Sequence, residues 1–225
     1  MATTTTDEEI LDESPGVTPA AHGLSPVTNT GVSNEKLAMW CFLGSECLLF
    51  GALISTYFLY RGRSVTGPTS KQIYDIPYTS ISSFVLLMSS LTMVLALAAI
   101  QRGDHRRLRL WLCATALLGT VFIGGQVYEF TSFIHQGLTV KTNLFGSSFF
   151  VLTGFHGVHV TIGIMMLLTL VIMSARGRLP QSKAPLVEII GLYWHFVDVV
   201  WIVIFTVVYL IPSPVVHVTP PLQIR

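Results

Sequence analysis

Residues 191–205 read GLYWHFVDVVWIVIF. The run is long, apolar and free of proline, as a membrane span should be, yet it places His195 and Asp198 near its middle. Ionisable groups are costly in hydrocarbon and persist there when a partner helix, a water file, a metal or a polar headgroup satisfies them. Whatever satisfies this pair decides how the helix packs and what the chain does.

The rest of the chain has the same character. It is 51% hydrophobic and 11% charged, against about 25% charged in ordinary soluble domains. The apolar residues gather in five blocks of about 22 to 28 residues, enough to cross roughly 30 Å of hydrocarbon at 1.5 Å per residue. We place the spans at about 37–60, 79–100, 110–134, 146–173 and 187–211. Helix is the expected state, because lipid demands internal backbone hydrogen bonds and no alternating strand pattern occurs. The expected fold is an all-α membrane protein, a bundle of five transmembrane helices. Residues 1–36 are rich in Thr, Ser, Pro and acid, with no Lys or Arg before Lys36, and read as a disordered tail without signal-peptide features. Residues 212–225 form a short C-terminal tail.

Charge sets the expected orientation. Arg102, Arg106, Arg107, Arg109, Arg176, Arg178 and Lys183 follow spans two and four, against Arg61, Arg63, Lys71 and Lys141 after spans one and three. The excess puts the N-terminus in the cytoplasm and the C-terminus outside. The net charge of +1 gives no field for nucleic acid. Cys41, Cys47 and Cys113 have no C-x-x-C spacing and read as small packing residues.

Spans one, three, four and five carry carboxylate, amide or histidine side chains. Glu46 lies within span one, roughly opposite a stripe of Gly44, Gly51 and Ser55 that suits close helix contact. It reads either as a proton-exchanging carboxylate or as a neutral acid bonded to a neighbouring helix. Gln126 and Glu129 share a face at the end of span three, where an interfacial hydrogen-bonding cluster is expected. His156 and His159 share a face of span four, flanked by Gly154 and Gly157, where a backbone or a lipid chain could come close. In span five Glu188, Gly191, His195 and Asp198 fall within about 80° of arc and form one polar stripe. Trp194 and Trp201 lie on an adjoining face. An acid and a histidine three apart can hydrogen-bond one another. His156, His159, His195 and Asp198 together could also ligate a metal, but the set lacks supporting outer groups, and a polar network between helices reads better.

These motifs resemble subunit III of the haem-copper terminal oxidases of the cytochrome c oxidase type. The resemblance covers all five spans. Its most specific parts are SSFFVLTGFHGVHVTIG, residues 147–163, and Glu188 followed by YWHFVDVVWIVIF from Tyr193. Trp40 to Glu46 (W-x2-LGSE) and Gly125 to Glu129 fit more loosely. The resemblance implies a subunit with no catalytic residue, metal or redox cofactor of its own, haem and copper belonging to partner subunits I and II. It implies packing against subunit I, bound phospholipid, and support of proton uptake in a complex that takes electrons from cytochrome c, in the bacterial cytoplasmic membrane. Many relatives have seven spans; five is a common bacterial form. Glu46 would be the proton-linked carboxylate. Glu129, His156, His159, Glu188, Tyr193, His195 and Asp198 would form buried polar networks. Trp40, Gly154, Gly157, Trp194 and Trp201 would contact lipid or neighbouring helices. Other readings are the third subunit of a quinol oxidase, a protein associated with nitric oxide reductase, a stand-alone membrane metalloenzyme, and a transporter, which the absence of proline from all five spans disfavours.

Overall fold

The computed structural model describes residues 33–61, 76–141 and 144–211. Nearly all of the two tails, with Arg63 and Lys71, lies outside the described residues. The described chain holds five long helices and no strand. They are α1 (Asn34–Tyr60), α2 (Ile76–Gln101), α3 (His105–His135), α4 (Leu144–Ala175) and α5 (Ala184–Phe205). A single 3-10 turn, Gln181–Lys183, leads into α5, and a π-helical turn, Thr206–Leu210, continues it. All five are long and apolar enough to cross a membrane.

The helices overrun the apolar blocks from which they are recognised. α3 has 31 residues and α4 has 32, about 47 Å each, well beyond the hydrocarbon thickness. A helix does not end where charges begin; it ends where a cap ends it. Asp104 caps α3 by accepting N–H bonds from Arg106 and Arg107, so the charged turn HRRLR is already helical. α2, α3 and α4 all stop at a glycine with positive φ: Gly103, Gly137 and Gly177. After each, the next residue's N–H reaches back to close the last turn, Asp104 to Ala99 O, Leu138 to Phe133 O and Arg178 to Met173 O. Pro77 and Pro185 sit in first turns, where no backbone donor is lost.

Four helices pack in a ring, with α2 on α3, α3 on α4, α4 on α5 and α5 back on α2. Trp194 fastens it. The indole lies between two glycines, where an added Cβ on Gly119 of α3 would stand 2.6 Å from its ring and one on Gly163 of α4 would stand 2.8 Å away. Its Nε1–H donates to Ser89 Oγ of α2 over 3.0 Å. One α5 side chain thus touches the other three helices of the ring. About two turns on, Trp201 Nε1–H donates to Ser83 Oγ over 2.8 Å.

α1 sits differently. Its buried residues are Leu43, Phe50 and Tyr57, one every seven positions, so it meets the ring along a narrow seam. Gly44 and Gly51 have nothing within 4 Å of where a Cβ would stand. The small-residue stripe expected to make a helix contact therefore faces away from this chain's own helices. The three cysteines are likewise exposed rather than packed, because each lies on the outward face of its helix.

Candidate functional site

Glu46 and His159 meet where α1 crosses α4. His159 Nε2 lies 3.1 Å from Glu46 Oε2, with the two side chains 12% and 14% exposed. The other ring nitrogen faces a carbonyl, and Nδ1–H donates to Phe155 O over 2.8 Å. A carbonyl can only accept, so Nδ1 carries a hydrogen. Nε2 then either accepts from a protonated Glu46 or donates to its carboxylate. The two states hold the same number of protons and differ by the transfer of one along the hydrogen bond. The geometry allows one proton to be shared along this bond, which is shielded on one side by Phe50, whose ring centre is 5.2 Å from that of His159. Tyr193 of α5 completes the junction. Its hydroxyl donates to His159 O over 3.0 Å, and its ring stacks on Phe42 of α1.

His195 and Asp198 do not pair with each other. His195 Nδ1 is hydrogen-bonded to Ser90 Oγ of α2. Neither oxygen of Asp198 makes a hydrogen bond of ordinary geometry, although the carboxyl is 3% exposed and the Ser90 hydroxyl lies near it. The expected i, i+3 bond gives way to a helix–helix bond. The stripe on α5 is in fact divided among neighbours. Glu188 pairs with Lys36 of α1, Gly191 lies against Met93 of α2 and His195 faces Ser90. Sequence reading missed the α2 side of this network. The signal was present in SSFVLLMSS, residues 82–90, which puts paired serines into an otherwise apolar span.

The proposed metal set is dispersed. His159 is held by Glu46, and His195 by Ser90. His156 is fully buried, stacked on Trp201 with ring centres 4.9 Å apart, and neither of its nitrogens has a hydrogen-bond partner. Among the described residues no group of three or more His, Cys, Asp and Glu side chains could hold a metal ion.

Glu129 is buried at the far end of the ring. It accepts from Thr79 Oγ1 of α2 over 2.9 Å and from the Tyr209 hydroxyl over 3.1 Å. Tyr209 lies in the π-helical turn, so that turn places a donor that the sequence alone did not mark. Gln126 Nε2 donates to Thr153 O, and its amide rests under Gly157. Gly154 and Gly157 open an apolar groove of about 330 Å³ between α3 and α4. Trp194 and Trp201 are buried packing residues, whereas Trp40 is 53% exposed on α1.

Comparison with known proteins identifies the family of the chain. A family model described as cytochrome c oxidase subunit III matches residues 22–213. The chain is 41% identical over 177 residues to cytochrome c oxidase subunit 3 of Bacillus sp. strain PS3, covering 79% of this chain and 86% of that one. It is 40% identical to the probable quinol oxidase subunit 3 of Staphylococcus saprophyticus (79% of this chain, 89% of that one). It is 41% identical to quinol oxidase subunit 3 of Bacillus subtilis strain 168 (77% and 85%). The chain belongs to the cytochrome c oxidase subunit III family. It is a multi-pass protein of the bacterial cytoplasmic membrane and the third subunit of a haem-copper oxidase, an oxidoreductase complex whose redox centres lie outside this family of chains.

Proposed function

We propose that this chain is the non-catalytic subunit III of a proton-pumping aerobic oxidase that passes electrons from cytochrome c to oxygen. It stabilises subunit I, which with subunit II holds the haem and copper, and it supports proton uptake through Glu46. The observation that carries the proton role is the Glu46–His159 couple, which holds one mobile proton between two helices inside the membrane. Among the described residues its neighbours include a phenylalanine edge and a tyrosine hydroxyl on the adjoining backbone, which fit proton exchange better than ligand chemistry. The open glycine face of α1 fits a helix of subunit I. The groove at Gly154 and Gly157 fits a phospholipid chain. The N-terminus is cytoplasmic in this reading, and Glu129 belongs to the structural polar networks of the ring.

A quinol donor is the second reading, favoured by relatives named quinol oxidase subunit 3 at the same identity as those named for cytochrome c. Tagging the chain, purifying it from mild-detergent membranes and identifying its companions by mass spectrometry tests both. A large multi-span partner together with a copper-site subunit supports the cytochrome c enzyme. A large partner without a copper-site subunit moves the assignment to quinol. Recovery of the chain alone, with a bound metal, overturns the subunit reading.

A further inference from the structure

Half of the His195 ring is left unpaired near the middle of the membrane. The side chain is half-buried, and Nδ1 is hydrogen-bonded to Ser90 Oγ across the α2–α5 contact. Nε2 has no hydrogen-bond partner among the described residues, and unlike both nitrogens of His156 it is not sealed inside the bundle. It opens onto an outer face shared by α2 and α5. At helical spacing around it stand Leu87 and Val94 of α2 and Val199 and Ile202 of α5, all exposed. Tyr193, which stacks on Phe42 of α1, lies about 160° round α5 from His195. The face is therefore not the one that α1 covers. No residue of α2 is charged, so that helix brings no countercharge.

The serine fixes which hydrogen the exposed nitrogen carries. Ser83 and Ser89 donate their hydroxyls to their own helix, to Thr79 O and Leu86 O. Ser90 makes no such backbone bond among the described residues, so its one hydroxyl hydrogen is free for Nδ1. The Asp198 carboxyl is near but makes no hydrogen bond of ordinary geometry. A neutral ring that accepts at Nδ1 carries its hydrogen on Nε2. Nε2–H is thus a donor that faces out of the bundle with nothing to receive it. His195 lies about 16 Å along α5 from Ala184 and about 15 Å before Phe205. An imidazole on one methylene cannot reach a headgroup over that distance, as a long lysine or arginine near a helix end can. Hydrocarbon tails offer no acceptor, and an unpaired polar group among them is costly.

We infer that the α2–α5 face docks a transmembrane helix of another subunit, and that this helix sets a side-chain carbonyl or carboxylate against His195 Nε2. The donor selects the partner: an Asn, Gln, Asp or Glu at mid-membrane depth satisfies it, and an all-apolar helix does not. Leu87, Val94, Val199 and Ile202 supply the flanking contact, where close packing rather than apolar burial holds helices together in lipid. Ser90 holds the ring in one orientation before the partner arrives, so little freedom is lost on docking. The face is distinct from the open glycine face of α1 and from the α3–α4 groove. The inference rests neither on the electron donor nor on a proton role for Glu46.

The test begins in intact membranes. The tagged chain carries Val199→p-benzoylphenylalanine, one turn from His195, and is irradiated; the cross-linked peptides are then sequenced by mass spectrometry. The expected product joins this position to a transmembrane segment of another subunit, with an Asn, Gln, Asp or Glu within about one helical turn of the attachment point. Adducts with lipid or water alone, with a second copy of this chain, or with a segment lacking such a residue overturn the proposal. A second measurement follows the retention of the identified subunit as detergent is raised on the purified complex. His195→Gln keeps a donor at similar reach and is expected to retain it. His195→Met fills similar space without a donor and is expected to lose it about three- to fifteen-fold more readily. Equal retention by wild type and His195→Met overturns the role of the donor, as does equal loss in both variants. If His195→Met does not fold, the cross-link, made with His195 in place, decides.

Discussion

The ring and the α1 seam are held by different forces. In the ring Trp194 fills a slot between Gly119 and Gly163 and anchors its N–H on Ser89, so shape and one hydrogen bond act together. Along the seam, contact centres on Leu43, Phe50 and Tyr57 and is pinned by Glu46–His159 near the middle and Lys36–Glu188 at one end. Lipid tails are as apolar as leucine, so burial of apolar surface gives little net drive between helices in a membrane. Tight fit must hold the ring, and polar pairing must hold α1. The contrast places the Glu46–His159 pair at the less tightly packed of the two junctions.

The largest effect expected on this contrast comes from Trp194→Ala. Emptying the slot should cost about 3–5 kcal/mol, as large-to-small core changes do, and should lower the melting temperature of the detergent-solubilised complex and its yield. A loss under about 1 kcal/mol would mean that the ring does not depend on this fit.

Next comes the seam. Glu46→Leu leaves His159 Nε2 without a partner, and about 1–3 kcal/mol of stability should be lost. Glu46→Gln should separate docking from chemistry, because its amide can still donate to Nε2 while holding no exchangeable acid proton. Assembly with the large subunit is expected to survive, and proton uptake or the durability of turnover is expected to fall. If Glu46→Gln abolished co-purification instead, the carboxylate would be structural and its proton role would lose its support.

Lys36→Met should cost less, about 0–1 kcal/mol, because the pair with Glu188 is partly exposed at the helix ends. Melting of the complex at low and high salt measures it, and an effect as large as that of Glu46→Leu would put the main hold on α1 at its end rather than its middle. The smallest effect is expected from Asp198→Leu. Pairing read from the sequence implies that this change strands His195 and destroys assembly. With His195 bonded to Ser90 and the carboxyl without a good partner, the leucine should be neutral or mildly stabilising, within about 1 kcal/mol. Loss of the complex in this variant would show that Asp198 has a partner outside this chain.

Much of the site was legible in the sequence because hydrocarbon makes polar residues conspicuous. Glu46, Glu129, His156, His159, Glu188, His195 and Asp198 all stand out against their spans. Their partners were less legible. Ser83, Ser89, Ser90 and Thr79 are small hydroxyl residues that can satisfy themselves within a helix, as Ser83 also does on Thr79 O. Nothing in their local pattern shows that an indole or an imidazole from α5 reaches them.

The sequence by itself determined that the chain is a set of membrane helices, that five blocks span, and that polar residues concentrate on chosen faces, since these follow from residue count, hydropathy and the 3.6-residue period. Tertiary structure alone decided which polar groups meet. It joined Glu46 to His159 across 113 positions and Ser90 to His195 across 105. It also left Asp198 beside His195 but not bonded to it. The reason is geometric. Periodicity along one helix fixes the direction in which a side chain points, whereas the partner it meets depends on which helix lies there and at what height, and that is set by packing across the whole bundle.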